Sequence, residues 1–217
     1  MLHEPNIDTM DMPVAEAVQI IKQNWELRGG FMGVEIEKKF LVKELPAGLS
    51  EYPFHVIEQG YLNVYPAIRV RREDDVYYMT YKGDTSGPGI GKTEYNMPLD
   101  RESYEHMVTK ADGNMIRKKR YLIPLNGDAF SGEYKDTHPG LVKMMEEGEI
   151  RIELDVFDEP FKGFVMAEVE FPDEEAAAAY VPAGWFGEEV TGDRRYSNAH
   201  MSMKNAKLSG TAPDHEA

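Results

Sequence analysis

The chain has no cysteine among its 217 residues. Disulfides and thiolate metal sites are therefore excluded. Cations are scarce: 24 Lys and Arg stand against 39 Asp and Glu, a net charge of −15. A general nucleic-acid binder needs the opposite balance to neutralise a phosphate backbone, so no nucleic-acid partner is expected. A small anionic ligand stays open, because it responds to a local cluster of Lys and Arg. No apolar run approaches the roughly 18 residues of a membrane span, so no membrane partner is expected. Residues 1–12 carry Glu4, Asp8 and Asp11 and lack an apolar stretch. That pattern predicts no secretory signal, and a cytoplasmic location. What is present suits one globular domain with a small appendage: 41% hydrophobic and 29% charged residues.

Pro13 opens an expected helix to about Arg28, with Val14, Val18, Ile21 and Trp25 at helical spacing and Gly29-Gly30 as its stop. Strand patterns follow at 33–42, 56–65, 67–73, 76–82, 93–99, 115–123, 149–157 and 165–171. Short helices are predicted at 101–110 and 173–180, and a loop over the Gly/Pro-rich run 83–91. The expected division is an N-terminal extension over 1–32, one domain over 33–201, and an unstructured tail over 202–217. The fold class is mainly β with a few helices, eight antiparallel strands closing into a barrel with helices outside.

The charges are not scattered. Glu35, Glu37 and Lys39 fall at i, i+2 and i+4, which share one face of a strand. Arg69 and Arg71 flank Val70, Lys118 and Arg120 flank Lys119, Glu153 and Asp155 flank Leu154, and Glu168 and Glu170 flank Val169. Lys82 ends one strand and Glu94 begins the next. Without Glu94 these make six carboxylates and six cations, near balance. A single such pair is usually a wet sheet face with cross-strand ion pairs. The same habit on strand after strand predicts a charged interior, with Ile36, Val70, Leu154 and Val169 pointing outward beneath helices. Clustered carboxylates without Cys favour a hard divalent cation, Mg²⁺ or Mn²⁺. Arg and Lys clamp phosphate oxygens. Together they describe a site for a metal-bound polyphosphate.

The run Gly87-Pro88-Gly89-Ile90-Gly91-Lys92-Thr93 is no Walker loop, because Ser86 stands where the first Gly belongs and a strand pattern follows. The six histidines show no metal-ligand spacing.

Glu35-Ile-Glu37-Lys38-Lys39-Phe40 resembles the ExExK signature of the CYTH superfamily, the triphosphate tunnel metalloenzymes. Further matches follow in order. They are Gln59-Gly60-Tyr61-Leu62, Ile68-Arg69-Val70-Arg71, Tyr78–Gly83, Thr93-Glu94-Tyr95 and Lys118–Tyr121. Ile152–Phe157 (with Ile152 where the family usually has Trp), Ala167–Glu170, and Trp185 with Glu189–Asp193 and Tyr196–Asn198 complete the set. The resemblance spans about 33–201. It implies an eight-stranded tunnel holding a triphosphate whose terminal phosphoryl group is attacked by a metal-activated water. It implies catalytic roles for Glu35, Glu37 and Lys39. It implies substrate contacts from Lys39, Arg69, Arg71, Lys82, Glu94, Lys118 and Arg120. Metal ligation would fall to Glu35, Glu37, Glu153, Asp155, Glu168 and Glu170. The expected partner is a small-molecule triphosphate, inorganic tripolyphosphate first. A class IV-type adenylate cyclase shares the tunnel, and thiamine triphosphate hydrolysis is the same chemistry. A non-catalytic polyphosphate or nucleotide module is the reading from a different class. The sequence does not set the oligomeric state, and a homodimer stays open.

Overall fold

The computed structural model describes residues 31–84 and 92–206, with side chains for 36–83 and 94–206. The expected helix at 13–28 lies outside the described residues. Nine strands form one sheet: β1 (Phe31–Val42), β2 (Phe54–Asn63), β3 (Ala67–Glu73), β4 (Val76–Asp84), β5 (Lys92–Leu99), β6 (Asp112–Pro124), β7 (Arg151–Phe157), β8 (Val165–Phe171) and β9 (Phe186–Glu189). The order is β5-β4-β3-β2-β6-β7-β8-β1-β9, and every pairing is antiparallel. β1 is long enough to serve two neighbours. Phe31–Glu35 pair with β5, and Ile36–Leu41 pair with β8. All eight strands expected from alternation are present. The short β9 went unpredicted, because four residues carry too little periodicity to stand out.

Five helices complete the described elements: α1 (Arg101–Val108), α2 (Gly132–Thr137), α3 (Pro139–Glu146), α4 (Glu174–Ala179) and α5 (Asn198–Met201). Their starts are legible locally. Asp100 caps α1 by accepting from the Ser103 N–H at 2.7 Å, and Asp173 caps α4 from the Ala176 N–H at 2.7 Å. Pro139 occupies the first turn of α3. No described helix is long and apolar enough to cross a membrane.

The sheet places its apolar residues on the outer face. Leu154 and Val169 are fully buried and Ile36 is packed with them, as the alternation predicted. They belong to a core with Phe40, Ile152 and Phe171, onto which Leu141 of α3 and Ala176 and Ala177 of α4 pack. Val70 is also fully buried, on the outer side of β3. Ile152, standing where the family has Trp, fills its place in this core at 1% exposure.

A second apolar cluster joins Tyr61, Ile116, Phe157 and Met166 to Val190, Tyr196 and Met201 of the C-terminal segment. The first four share strand parity with the charged residues, so one end of the charged face is filled with hydrocarbon. Backbone bonds hold the C-terminal segment there: the Val190 N–H donates to Lys39 O at 2.8 Å, and the Asn114 N–H donates to Ser202 O at 2.6 Å. Ser202, at the start of the expected tail, is buried. Beside it Gly113 has φ +80°, and a Cβ there would lie 2.0 Å from Ser202 O. Gly113→Ala is therefore expected to cost about 2 kcal/mol. Thermal melts should show it, together with faster tryptic cleavage at Lys204 as the segment lifts.

Candidate active site

A two-residue period sends Glu37 and Lys39 of β1 to the same face as Glu168 and Glu170 of β8, Glu153 and Asp155 of β7, and Lys118 and Arg120 of β6. Register then decides who meets whom. Glu37 stands opposite Glu170, Lys39 opposite Glu168, Glu153 opposite Glu168, and Arg120 opposite Asp155. The side chain of Glu35 lies outside the described ones.

Arg120 is the hub. Its Nε donates to Asp155 Oδ1 at 2.7 Å, and its Nη2 donates to Asp155 Oδ2 at 2.7 Å and to Glu168 Oε2 at 2.6 Å. Its Nη1 reaches Glu153. Lys118 binds Asp155, and both side chains are fully buried. Lys39 binds Glu168 and lies 3.2 Å from Glu37. Burial disfavours every one of these charges, yet their neighbours override it. Lys39 is held above its ordinary value by Glu168 and Glu37, and Arg120 far above its own by Asp155, Glu153 and Glu168. Glu168 is held well below the usual carboxylate range by Lys39, Arg120 and Lys118. Lys118 goes the other way. Burial and the flanking Arg120 and Arg71 push it down to about 8, while Asp155 opposes them, so it stays protonated at neutral pH.

Arg69, Arg71, Lys82 and Glu94 form a second group on β3, β4 and β5. Glu94 lies 4.0 Å from Arg69 and 3.4 Å from Lys82, and these two cations hold its carboxyl low against burial. The Arg71 Nε donates to Gln59 Oε1 at 2.9 Å, and its Nη1 donates to the Tyr78 hydroxyl at 3.0 Å. The Tyr78 hydroxyl in turn donates to Glu73 at 2.7 Å. Thr80 donates to Asn96, and Asn96 to Glu94. Sequence reasoning missed this bracing set of Gln59, Glu73, Tyr78, Thr80 and Asn96. Tyr78, Thr80 and Asn96 were findable, two or four residues from Lys82 and Glu94. Gln59 was not, because a register shift between Tyr61 and Asn63 breaks counting through the hairpin turn. Tyr61 is buried in the wall of the face, as expected.

Two features of the carboxylate wall do not serve stability. Like charges directly across a strand pair repel, yet Glu37 faces Glu170 and Glu153 faces Glu168. Glu170 makes no ion pair or hydrogen bond among the described residues. Burial, then Glu153, Glu168 and Glu37, push its carboxyl up to about 7, with Arg120 opposing. Opposite it in charge, Arg69 Nε is buried with no hydrogen-bond partner. Among the described residues no three Asp, Glu or His side chains converge as a finished metal site, because Lys39, Lys118 and Arg120 hold most of the carboxylates. The donor set still fits a hard divalent ion. It is all oxygen, and Glu170 is a carboxylate short of positive charge.

An antiparallel sheet with one face of facing carboxylates and cations defines an anion-and-cation-binding protein of the tunnel type. The comparisons agree. No protein-family model matches the chain. It is similar to the inorganic triphosphatase of Nitrosomonas europaea, 34% identical over 174 residues, covering 78% of this chain and 97% of that protein. It is similar to the inorganic triphosphatase of Acetivibrio thermocellus, 32% identical over 181 residues, covering 80% and 96%. A solved structure described as an inorganic triphosphatase aligns with a TM-score of 0.53 at 31% identity, covering 81% of this chain and 97% of its own. The chain belongs to the inorganic triphosphatase family of the CYTH superfamily.

Proposed function

We propose that the eight long strands close into a tunnel and that this tunnel hydrolyses inorganic tripolyphosphate with the help of a divalent metal. The double pairing of β1, with β5 and with β8, supports closure. The observation that carries the function is the wall of like charges, Glu37 against Glu170 and Glu153 against Glu168, set beside a wall of cations. Such repulsion persists where it serves a ligand.

Arg69, Arg71, Lys82, Lys118, Arg120 and Lys39 bind the phosphoryl oxygens, the arginines through their planar forks. Arg71 reaches its oxygen pre-aimed by Gln59 and Tyr78. Lys39 and Arg120 trade part of their carboxylate contacts for phosphate, which frees carboxylate oxygens at the same moment. Glu37, Glu153 and Glu170 are then the residues that would hold Mg²⁺ or Mn²⁺, with Glu35, Asp155 and Glu168 beside them in the sequence pattern. When bound, the ion neutralises phosphate charge and polarises the phosphorus. One of the carboxylates orients the attacking water and takes its proton. The water oxygen bonds the terminal phosphorus, the bridging P–O bond breaks, and pyrophosphate leaves beside orthophosphate.

The test is a phosphate-release panel over tripolyphosphate, ATP and thiamine triphosphate with Mg²⁺ and with Mn²⁺. Tripolyphosphate should be turned over fastest. Glu37→Gln and Lys82→Ala should each abolish release, and unchanged turnover in both would sink the reading. Cyclic AMP formed from ATP would move the chain to the cyclases instead.

A further inference from the structure

We propose that residues 13–28, which lie outside the described residues, dock as an amphipathic helix on the outer face of β3, β4 and β5. A sheet with a charged inner face must cover its apolar outer face with another layer. On β1, β7 and β8 that layer is α2, α3 and α4. On β3–β5 the described cover is α1 alone, which packs on β2, β3 and β4 near Tyr77. Register puts Ile68, Tyr81 and Tyr95 in one outward row, and Val70, Met79 and Met97 in the next. These two rows contain no charge. Tyr81 is 40% exposed and Met97 38%, and Ile68, Met79, Tyr81, Tyr95 and Met97 join neither apolar cluster of the described residues.

The occupant follows from where the chain enters. β1 begins with Phe31 opposite Asn96 and Met32 opposite Tyr95, at the edge of the uncovered rows. Thirty residues precede it. Val14, Val18, Ile21 and Trp25 make one helical stripe, with Glu16, Gln19, Gln23 and Glu26 on the far side. Sixteen helical residues span about 24 Å, and the eight residues of β5 span about 27 Å. Gly29-Gly30 supplies the reversal that lays the helix back over the strands. Tethering at Phe31 keeps the stripe at high effective concentration above its patch, which favours it over a second copy of the chain.

Trp25 and Trp185 are the two tryptophans of the chain, so Trp185→Phe leaves Trp25 as a single reporter. In that background the Trp25 emission should be blue-shifted and shielded from acrylamide. Met97→Asp should shift it red, toward the urea-unfolded value, and raise the quenching constant. Val18→Asp should do the same; it touches only the stripe, so it still reads if Met97→Asp misfolds. The mass by light scattering should not change with either variant, and far-UV dichroism should keep its sheet signal. A solvent-exposed Trp25 in the parent protein overturns the proposal. So does a variant pair that leaves quenching unchanged. A dimer that Met97→Asp converts to a monomer, with Trp25 unaffected, assigns the patch to a second copy and also overturns it.

Discussion

Arg120→Ala is expected to abolish triphosphate turnover and to lower stability by about 3–5 kcal/mol, because it strands buried carboxylates without their counter-charge. Arg120 is the shared partner of Asp155, Glu153 and Glu168. Asp155 is fully buried, and without the guanidinium it keeps only Lys118. Lys118 already carries a burial penalty that holds its ammonium down near 8. Urea denaturation should show the loss, and thermal melts should fall by roughly 10 °C. Arg120→Lys should recover part of the stability but little activity, since a point charge cannot copy the bidentate fork. Arg120→Ala with Asp155→Asn should regain stability relative to Arg120→Ala alone and remain inactive. A single variant as stable as the parent would show that the network is not structural.

Chelation of divalent ions is expected to remove phosphate release entirely, and Glu170→Gln to remove most of it. The variant should also make the metal-free protein more stable at pH 8. Folded Glu170 titrates near 7, whereas 4.5 is its ordinary value. The folded state therefore binds the extra proton between those values. Its stability is full below 4.5 and is lost as pH rises through about 7. Glutamine cannot lose a proton and escapes this loss. Glu170 keeps contact with water although protein surrounds it, so screening cuts the gain to about 1 kcal/mol, or 2–4 °C. Melts with chelator at pH 5 and pH 8 test this: the variant should exceed the parent at pH 8 only. Equal melts at both would remove the crowding argument. In the parent, Mn²⁺ binding should weaken as pH falls below about 7, where a proton competes for the same carboxylate.

Much of the site was legible because a strand's side chains alternate with a period of two. Glu153-Leu-Asp155 and Glu168-Val-Glu170 announced one charged and one apolar face, and the buried Leu154 and Val169 bear that out. The strands at 67–73, 76–84 and 165–171 stood out through β-branched and aromatic residues between turns. The helices α2 and α3 did not, since six and eight residues hold too few turns to build a pattern. Gln59 stayed hidden behind a bulge. Glu94 read as a weak candidate for substrate, and its nearest charges proved to be Arg69 and Lys82.

The sequence by itself determined which residues share the charged face and which lie beneath helices, because strand parity is local and needs no neighbour. It also determined the chemistry those residues could offer, from carboxylates, guanidinium and ammonium groups without a thiol. Only the tertiary structure decided that Arg120 gathers three carboxylates while Glu170 gathers none. That depends on register between strands far apart in the chain, and a shift of one residue would exchange the two faces.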